Sequence, residues 1–202
     1  MIKHLPISPV LLLTFMALLT TGCAMRPPAN VDNACDIFDE RSSLFNSWQR
    51  QARKAEREYG VAVPILMATI YQESRFQPRA RPARRKLLGF IPWRRPSNAY
   101  GYAQALNSTW AWYKDDADRV WWARRTRFKD AVHFVGWYHD QSHRQNGIAK
   151  TDAYNLYLAY YSGHAGYRRG TYRNNRTIMN AAARVSSMAE TYERQLRQCG
   201  RL

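Results

Sequence analysis

The sequence predicts a mostly α-helical domain, and three observations carry that prediction. Apolar residues recur at spacings of three, four and seven along several segments, which is the period of one helix face. The Val-Ile-Thr alternation that marks half-buried strands is absent nearly everywhere. Apolar residues make up 46% of the 202, enough for one domain with a buried core. Aromatics at 13% exclude a disordered chain, because disorder depletes them. A mean hydropathy of −0.59 and a single apolar run exclude a polytopic membrane protein. With 10 Gly, 9 Pro and 3 Cys, the chain is neither collagen-like nor disulfide-dense.

Residues 1–22 read as a secretory signal peptide. A short basic start holding Lys3 and His4 precedes the apolar stretch Val10 to Leu19, which is too short to cross a hydrocarbon layer of about 30 Å. Thr20, Thr21 and Gly22 then lead into Cys23. That arrangement resembles the lipobox of bacterial lipoproteins, which implies acylation of Cys23 and a membrane anchor; cleavage after Ala24 is the alternative. By the same resemblance, Ala24 after the Cys implies the outer rather than the inner membrane. Residues 23–34 read as a polar tether, and 35–202 as the domain. Cys35 and Cys199 stand at the domain's two ends, and export to an oxidising compartment makes a disulfide between them the default expectation.

Along the domain, Leu44, Phe45, Trp48, Ala52, Ala55 and Tyr59 form one face of an amphipathic helix over Ser42 to Tyr59, which Gly60 ends. A second helix opens at Pro64, a residue tolerated in a first turn. It is apolar nearly all round through Gln72, so it is expected to be central. A long segment without helical period follows, Arg75 to Ala99. It holds Arg75, Arg79, Arg81, Arg84, Arg85, Lys86, Arg94 and Arg95 and no acid. Asn107-Ser108-Thr109 reads as an N-cap cluster before Trp110. Further helices are expected over Asp130 to Tyr138, over Thr151 to Tyr161 with Thr151 or Asp152 as cap, and over Arg176 to Leu196.

Glu73 is the candidate for chemistry. Leu66, Ile70 and Glu73 lie at i, i+4 and i+7 on one helix face. A carboxylate at that helix's C-terminal end is partly desolvated and near the negative end of the dipole, and both effects favour its protonated form. Glycosidic cleavage uses such a group, because the departing alkoxide must be protonated.

Gln72-Glu73-Ser74-Arg75-Phe76 resembles the Glu-Ser motif of the lytic transglycosylases that share the goose-type lysozyme fold. Ala99-Tyr100-Gly101-Tyr102-Ala103-Gln104-Ala105 is similar to that family's Gly-Leu-Met-Gln strip, with Tyr102-Ala103 in place of Leu-Met. Leu158-Ala159-Tyr160-Tyr161-Ser162-Gly163-His164 is similar to its Ala-Tyr-Asn-Ala-Gly element, with Tyr161 in place of Asn. The three motifs keep the family's order over roughly Val61 to Gly170. The resemblance implies a lysozyme-like α-helical domain, here with a long basic loop insert. It implies Glu73 as sole acid/base, Ser74 holding substrate by hydrogen bonding, and Gly101, Tyr102 and Gln104 lining a sugar groove. Tyr160 is implied as the hydrogen-bond partner that sets the Glu73 rotamer; His164, in the motif-like turn near the expected cleft, reads as a substrate contact.

The implied reaction follows from a missing residue. Two-carboxylate hydrolysis needs a second Asp or Glu, and the chain has none between Ser74 and Lys114. Asp115, Asp116 and Asp118 read as caps or solvated charges at a helix end. A lytic transglycosylase cleaves the MurNAc–GlcNAc bond of peptidoglycan with one Glu, the substrate's own C6 hydroxyl closing a 1,6-anhydro end. The alternative is a non-catalytic peptidoglycan-binding envelope scaffold that keeps the fold.

The expected partners are peptidoglycan glycan strands and, through the anchor, a membrane, on the periplasmic face of the cell envelope. Nucleic acid is set aside despite the net charge of +16, since no recognition motif is present and the leader exports the chain. The basic segment suits stem-peptide carboxylates or membrane phosphates. Its apolar run, Leu87 to Trp93, suits a flap over the groove or a membrane-touching loop. One or two of Trp110, Trp112, Trp121, Trp122 and Trp137 are expected to stack on sugar. His139 and His143 have a metal-compatible spacing but lack the zincin glutamate, so they read as a surface pair; neither metal nor cofactor is expected.

Overall fold

The computed structural model describes residues 26–44, 47–84, 86–117 and 122–202. The signal peptide and Cys23 lie outside the described residues, as do Asp118 and Trp121. Eight helices are present among those described: α1 (Ala34–Glu40), α2 (Trp48–Tyr59), α3 (Val63–Ser74), α4 (Asn107–Asp116), α5 (Phe128–Asn146), α6 (Ala153–Ser162), α7 (His164–Arg168) and α8 (Arg176–Gln198). A two-stranded antiparallel ribbon, β1 (Lys86–Leu87) and β2 (Ile91–Pro92), stands between α3 and α4. No described helix is long and apolar enough to cross a membrane.

Helix α3 is the axis of the fold. Leu66, Met67, Ala68 and Ile70 are all fully buried, because α2, α5 and α8 pack around it. Helix α2 packs tightly on α5 at Gly136, where an added Cβ would sit 2.8 Å from the Tyr59 ring. Only a residue without a side chain allows that approach. At the far end of α5 the buried Asp140 pairs with Arg144 at 2.7 Å and Lys150 at 2.6 Å. Lys150 also donates to the last carbonyl of α2, that of Tyr59, at 2.7 Å. Trp48 stacks on Phe128 with ring centroids 3.9 Å apart, closing the base of the core.

Several boundaries differ from the sequence expectation. Helix α2 begins at Trp48 rather than Ser42, because the Ser47 hydroxyl caps it by accepting from Arg50 N; Leu44, counted on its apolar face, is 83% exposed. The tether docks before it ends. Asp32 accepts from the Tyr71 hydroxyl at 2.7 Å, and Asn33 caps α1, which the periodicity had not indicated. Asn107 is the first residue of α4 instead of its cap, and its N–H is taken by Asn98 Oδ1 at 3.0 Å. Asp152 is the cap of α6. Asp116 is not a solvated helix-end charge: it accepts from Trp137 Nε1 at 2.7 Å and from Gln141 at 3.0 Å. Cys35 and Cys199 form the expected disulfide, tying α1 to the end of α8.

His139 and His143 are not a surface pair. His139 is fully buried and hydrogen-bonds Thr69 Oγ1 at 3.0 Å. Desolvation, with a smaller contribution from His164, pushes it down to about 3, so it is a neutral core residue. His143 is exposed as expected, its Nδ1 on the Ile148 carbonyl at 2.8 Å.

Candidate active site

Glu73 sits in the last turn of α3, and its side chain is half-buried at the edge of the core. The Tyr157 hydroxyl, from α6, donates to its Oε1 at 2.8 Å. Desolvation pushes the carboxyl up to about 7, against the opposing pull of that hydrogen bond. At neutral pH the group is therefore poised between acid and base, able to give a proton and take one back.

Beyond Ser74 the chain turns away through two consecutive left-handed residues, Arg75 at φ 47° and Phe76 at φ 58°. Non-glycine residues are disfavoured there, and such strain persists only where the surroundings enforce it. Here the fully buried Phe76 ring, 5.8 Å from Trp48, holds the turn.

Glu73 opens on a cavity of about 660 Å³. One wall comes from the basic insert and the strip after it: Pro82, Pro96, Ala99, Gln104 and Leu106. The other comes from α5 and α6, with Tyr138, Tyr160, Tyr161 and Gly163. Glu73 is the one acid among the described lining residues. No described tryptophan lines it; its aromatic lining is Phe134, Tyr138, Tyr160 and Tyr161. Trp110 and Trp137 are buried, and Trp112 packs edge-on against Trp137 at 4.5 Å. Burial holds the phenols of Tyr138, Tyr157 and Tyr160 above their ordinary value, that of Tyr138 at about 12. All three are neutral donors at any working pH.

The motif residues divide into those the cavity receives and those the core takes. Gln104 lines it, donating both amide hydrogens to the carbonyls of Ala80 at 2.9 Å and Gly101 at 2.8 Å. Its Oε1 is left as the acceptor. Tyr160 also lines it, but its hydroxyl donates to the Ala103 carbonyl at 2.5 Å; the partner of Glu73 is Tyr157, one turn earlier on α6. Ser74 is buried, donates to the Ile70 carbonyl at 3.2 Å and lies outside the lining. Tyr102 is a core residue, its ring edge-on to Trp48 at 5.7 Å. His164 packs behind the wall, stacked on Tyr138 at 4.4 Å with Nε2 on Ser142 Oγ at 3.1 Å. The sequence reading missed Tyr157, for which the only cue was its i, i+3 relation to Tyr160 on one helix face.

Gly101 shapes the strip without lining the cavity. The Arg125 carbonyl comes in to accept from Tyr102 N at 3.1 Å and occupies the place a side chain would need. A Cβ on Gly101 would meet that oxygen at 2.2 Å, and φ is +82°. Gly101→Ala is accordingly expected to lower stability by about 2–4 kcal/mol in chemical denaturation. A change under about 0.5 kcal/mol would refute the packing argument.

A helical domain with one near-neutral carboxylic acid beside an open, tyrosine-walled cleft is of the lysozyme-like class, in which sugar chains are cut by a buried acid. Within that class the family model for the transglycosylase SLT domain matches residues 11–199, and the chain belongs to that family. Family membership brings transglycosylase-type function and peptidoglycan as substrate. No curated protein matches the chain.

Proposed function

We propose that the protein is a peptidoglycan lytic transglycosylase in which Glu73 alone serves as acid and then as base. The observation that carries this reading is a carboxyl raised to about 7 in a cleft with no second carboxylate among its described lining residues. Glu73 protonates the glycosidic oxygen as the MurNAc–GlcNAc bond breaks. The substrate's N-acetyl group assists at C1. The resulting carboxylate then takes the proton of the C6 hydroxyl as that oxygen closes on C1. The product is a 1,6-anhydro-muramoyl end, and no water is consumed. Gln104, through its remaining Oε1, and the rings of Tyr160 and Tyr161 position the sugars. Digestion of purified sacculi followed by mass spectrometry of the muropeptides tests the proposal. Anhydro ends are expected; reducing ends would make the enzyme a hydrolase instead.

Tyr157 is a positioning residue in this scheme. Its hydroxyl holds Glu73 and is the one contribution that lowers the carboxyl's pKa. Tyr157→Phe is expected to raise the Glu73 pKa further, moving the alkaline limb of the pH–rate profile to higher pH. It should also cost about tenfold in kcat/KM, the equivalent of one lost hydrogen bond. An unmoved alkaline limb would show that the hydroxyl does not act on Glu73.

The enzyme is placed in the cell envelope, on the periplasmic face, anchored to the outer membrane through acylated Cys23. Cys23→Ala is expected to move it from the membrane fraction to the released fraction. Retention in the membrane fraction would dismiss the lipid anchor.

A further inference from the structure

The ribbon β1–β2 is built for something outside the fold. Its three-residue connection carries Leu88 at φ 53° and Gly89 at φ 80°. An L side chain is disfavoured in that region, yet a leucine stands there with 75% of its surface in water. Phe90 beside it is 72% exposed, and Trp93 just beyond β2 is 51% exposed. Folding thus leaves three large apolar side chains uncovered within six residues. Flanking them in sequence are the exposed Arg84, Lys86, Arg94 and Arg95, with Arg79 and Arg81 further back, and no acid stands anywhere from Ser74 to Lys114. The Arg94 guanidinium lies 5.8 Å from the Trp93 ring. At the neck, Arg95 donates to the Pro82 carbonyl and clasps the two legs of the hairpin together.

We infer that the 86–93 hairpin is a membrane-contact element that seats on an anionic phospholipid surface. An apolar tip with a collar of cations matches the two layers of such a surface. Leu88 and Phe90 enter the acyl boundary, Trp93 takes the interfacial level that tryptophan favours, and the Arg and Lys side chains reach lipid phosphates. A glycan strand offers no apolar phase for a leucine, and the tip stands apart from the residues that line the cleft. The chain on either side of the hairpin, however, reaches that lining at Pro82 and Pro96. Six residues from Pro82 to Leu88 span at most about 20 Å, so a seated hairpin holds the cleft mouth close to the bilayer.

Hydrogen exchange of the purified full chain tests this, read at the amides of the hairpin itself so that N-terminal anchoring does not register. Mixed with vesicles rich in phosphatidylglycerol, residues 86–93 are expected to exchange more slowly than in buffer. The protection should vanish with phosphatidylcholine vesicles, at high salt, and in Leu88→Ser/Phe90→Ser, whose unchanged helical circular dichroism checks the fold. Unslowed exchange on phosphatidylglycerol overturns the inference. Protection by purified sacculi but not by vesicles also overturns it and makes the hairpin a wall contact. Equal protection on both vesicle types removes the anionic surface as its target.

Discussion

Glu73→Gln is expected to abolish glycan cleavage and, above neutral pH, to make the protein more stable. Removing a general acid costs about 10²- to 10⁴-fold in rate, and the same residue is the base of the second step, so the loss should reach the upper end. The stability gain follows from burial. The carboxyl's ordinary value is 4.5, and in the folded protein it is about 7. The native state therefore binds this proton more tightly than the unfolded chain does. Its contribution is fully present below pH 4.5, declines as pH rises, and is gone above about 7. Holding the ionised form in the fold costs about 3 kcal/mol. Glutamine does not titrate, and its carbonyl still accepts from Tyr157. The variant should match wild type near pH 4 and exceed it by up to about 3 kcal/mol at pH 8, roughly 6–12 °C in Tm for a chain of this size. Superimposable stability curves would mean that Glu73 is solvated in the native state. The proposed acid would then lose its physical basis.

Breaking the Cys35–Cys199 disulfide is expected to produce the largest loss of stability. The bridge joins residues 164 apart in sequence, so it constrains nearly the whole unfolded domain. The chain-entropy model gives about 5 kcal/mol for such a loop, with 2–5 kcal/mol the usual range. Contacts beside the bridge do not depend on it. Gln195 accepts from Ala34 N at 2.9 Å and donates to the Asp32 carbonyl at 3.1 Å, and Arg201 pairs with Asp39 at 2.5 Å. These hold the native seam in Cys35→Ser/Cys199→Ser, while the unfolded chain gains its freedom. No cleft residue comes from α1 or α8, so the folded fraction should retain its activity at 25 °C while Tm falls. Loss of activity without loss of stability would contradict this separation.

Short-range chemistry was legible in the sequence. The all-round apolar character of α3, a cap at Thr151 or Asp152 and the terminal cysteines each state their role within a few neighbouring residues, or in the cysteines' case through the compartment. So does the placement of Glu73, since i, i+4, i+7 spacing puts it on the face of Leu66 and Ile70 whatever packs there. Where sequence reasoning assigned a hydrogen-bond partner across space it went astray. Tyr157 and Tyr160 lie on the same side of α6, and nothing local says which hydroxyl reaches Glu73 and which the Ala103 carbonyl. That choice depends on how α6 seats against α3. In the same way Tyr102, Ser74 and His164 sit in the right motifs yet face the core. The Arg125 carbonyl, Trp48 and Tyr138, each remote in sequence, claim the space around that strip and that turn.

The sequence by itself determined the helical class, the family and the placement of Glu73, because helix period, caps, short motifs and a carboxylate beside an apolar face are written within one or two turns of chain. The tertiary structure alone decided the hydrogen-bond partner of that acid, the tyrosine character of the cleft and the uncovered hairpin tip. Each of these depends on which distant surfaces meet, and folding settles that by burying the largest shared apolar area, a quantity no local stretch of sequence contains.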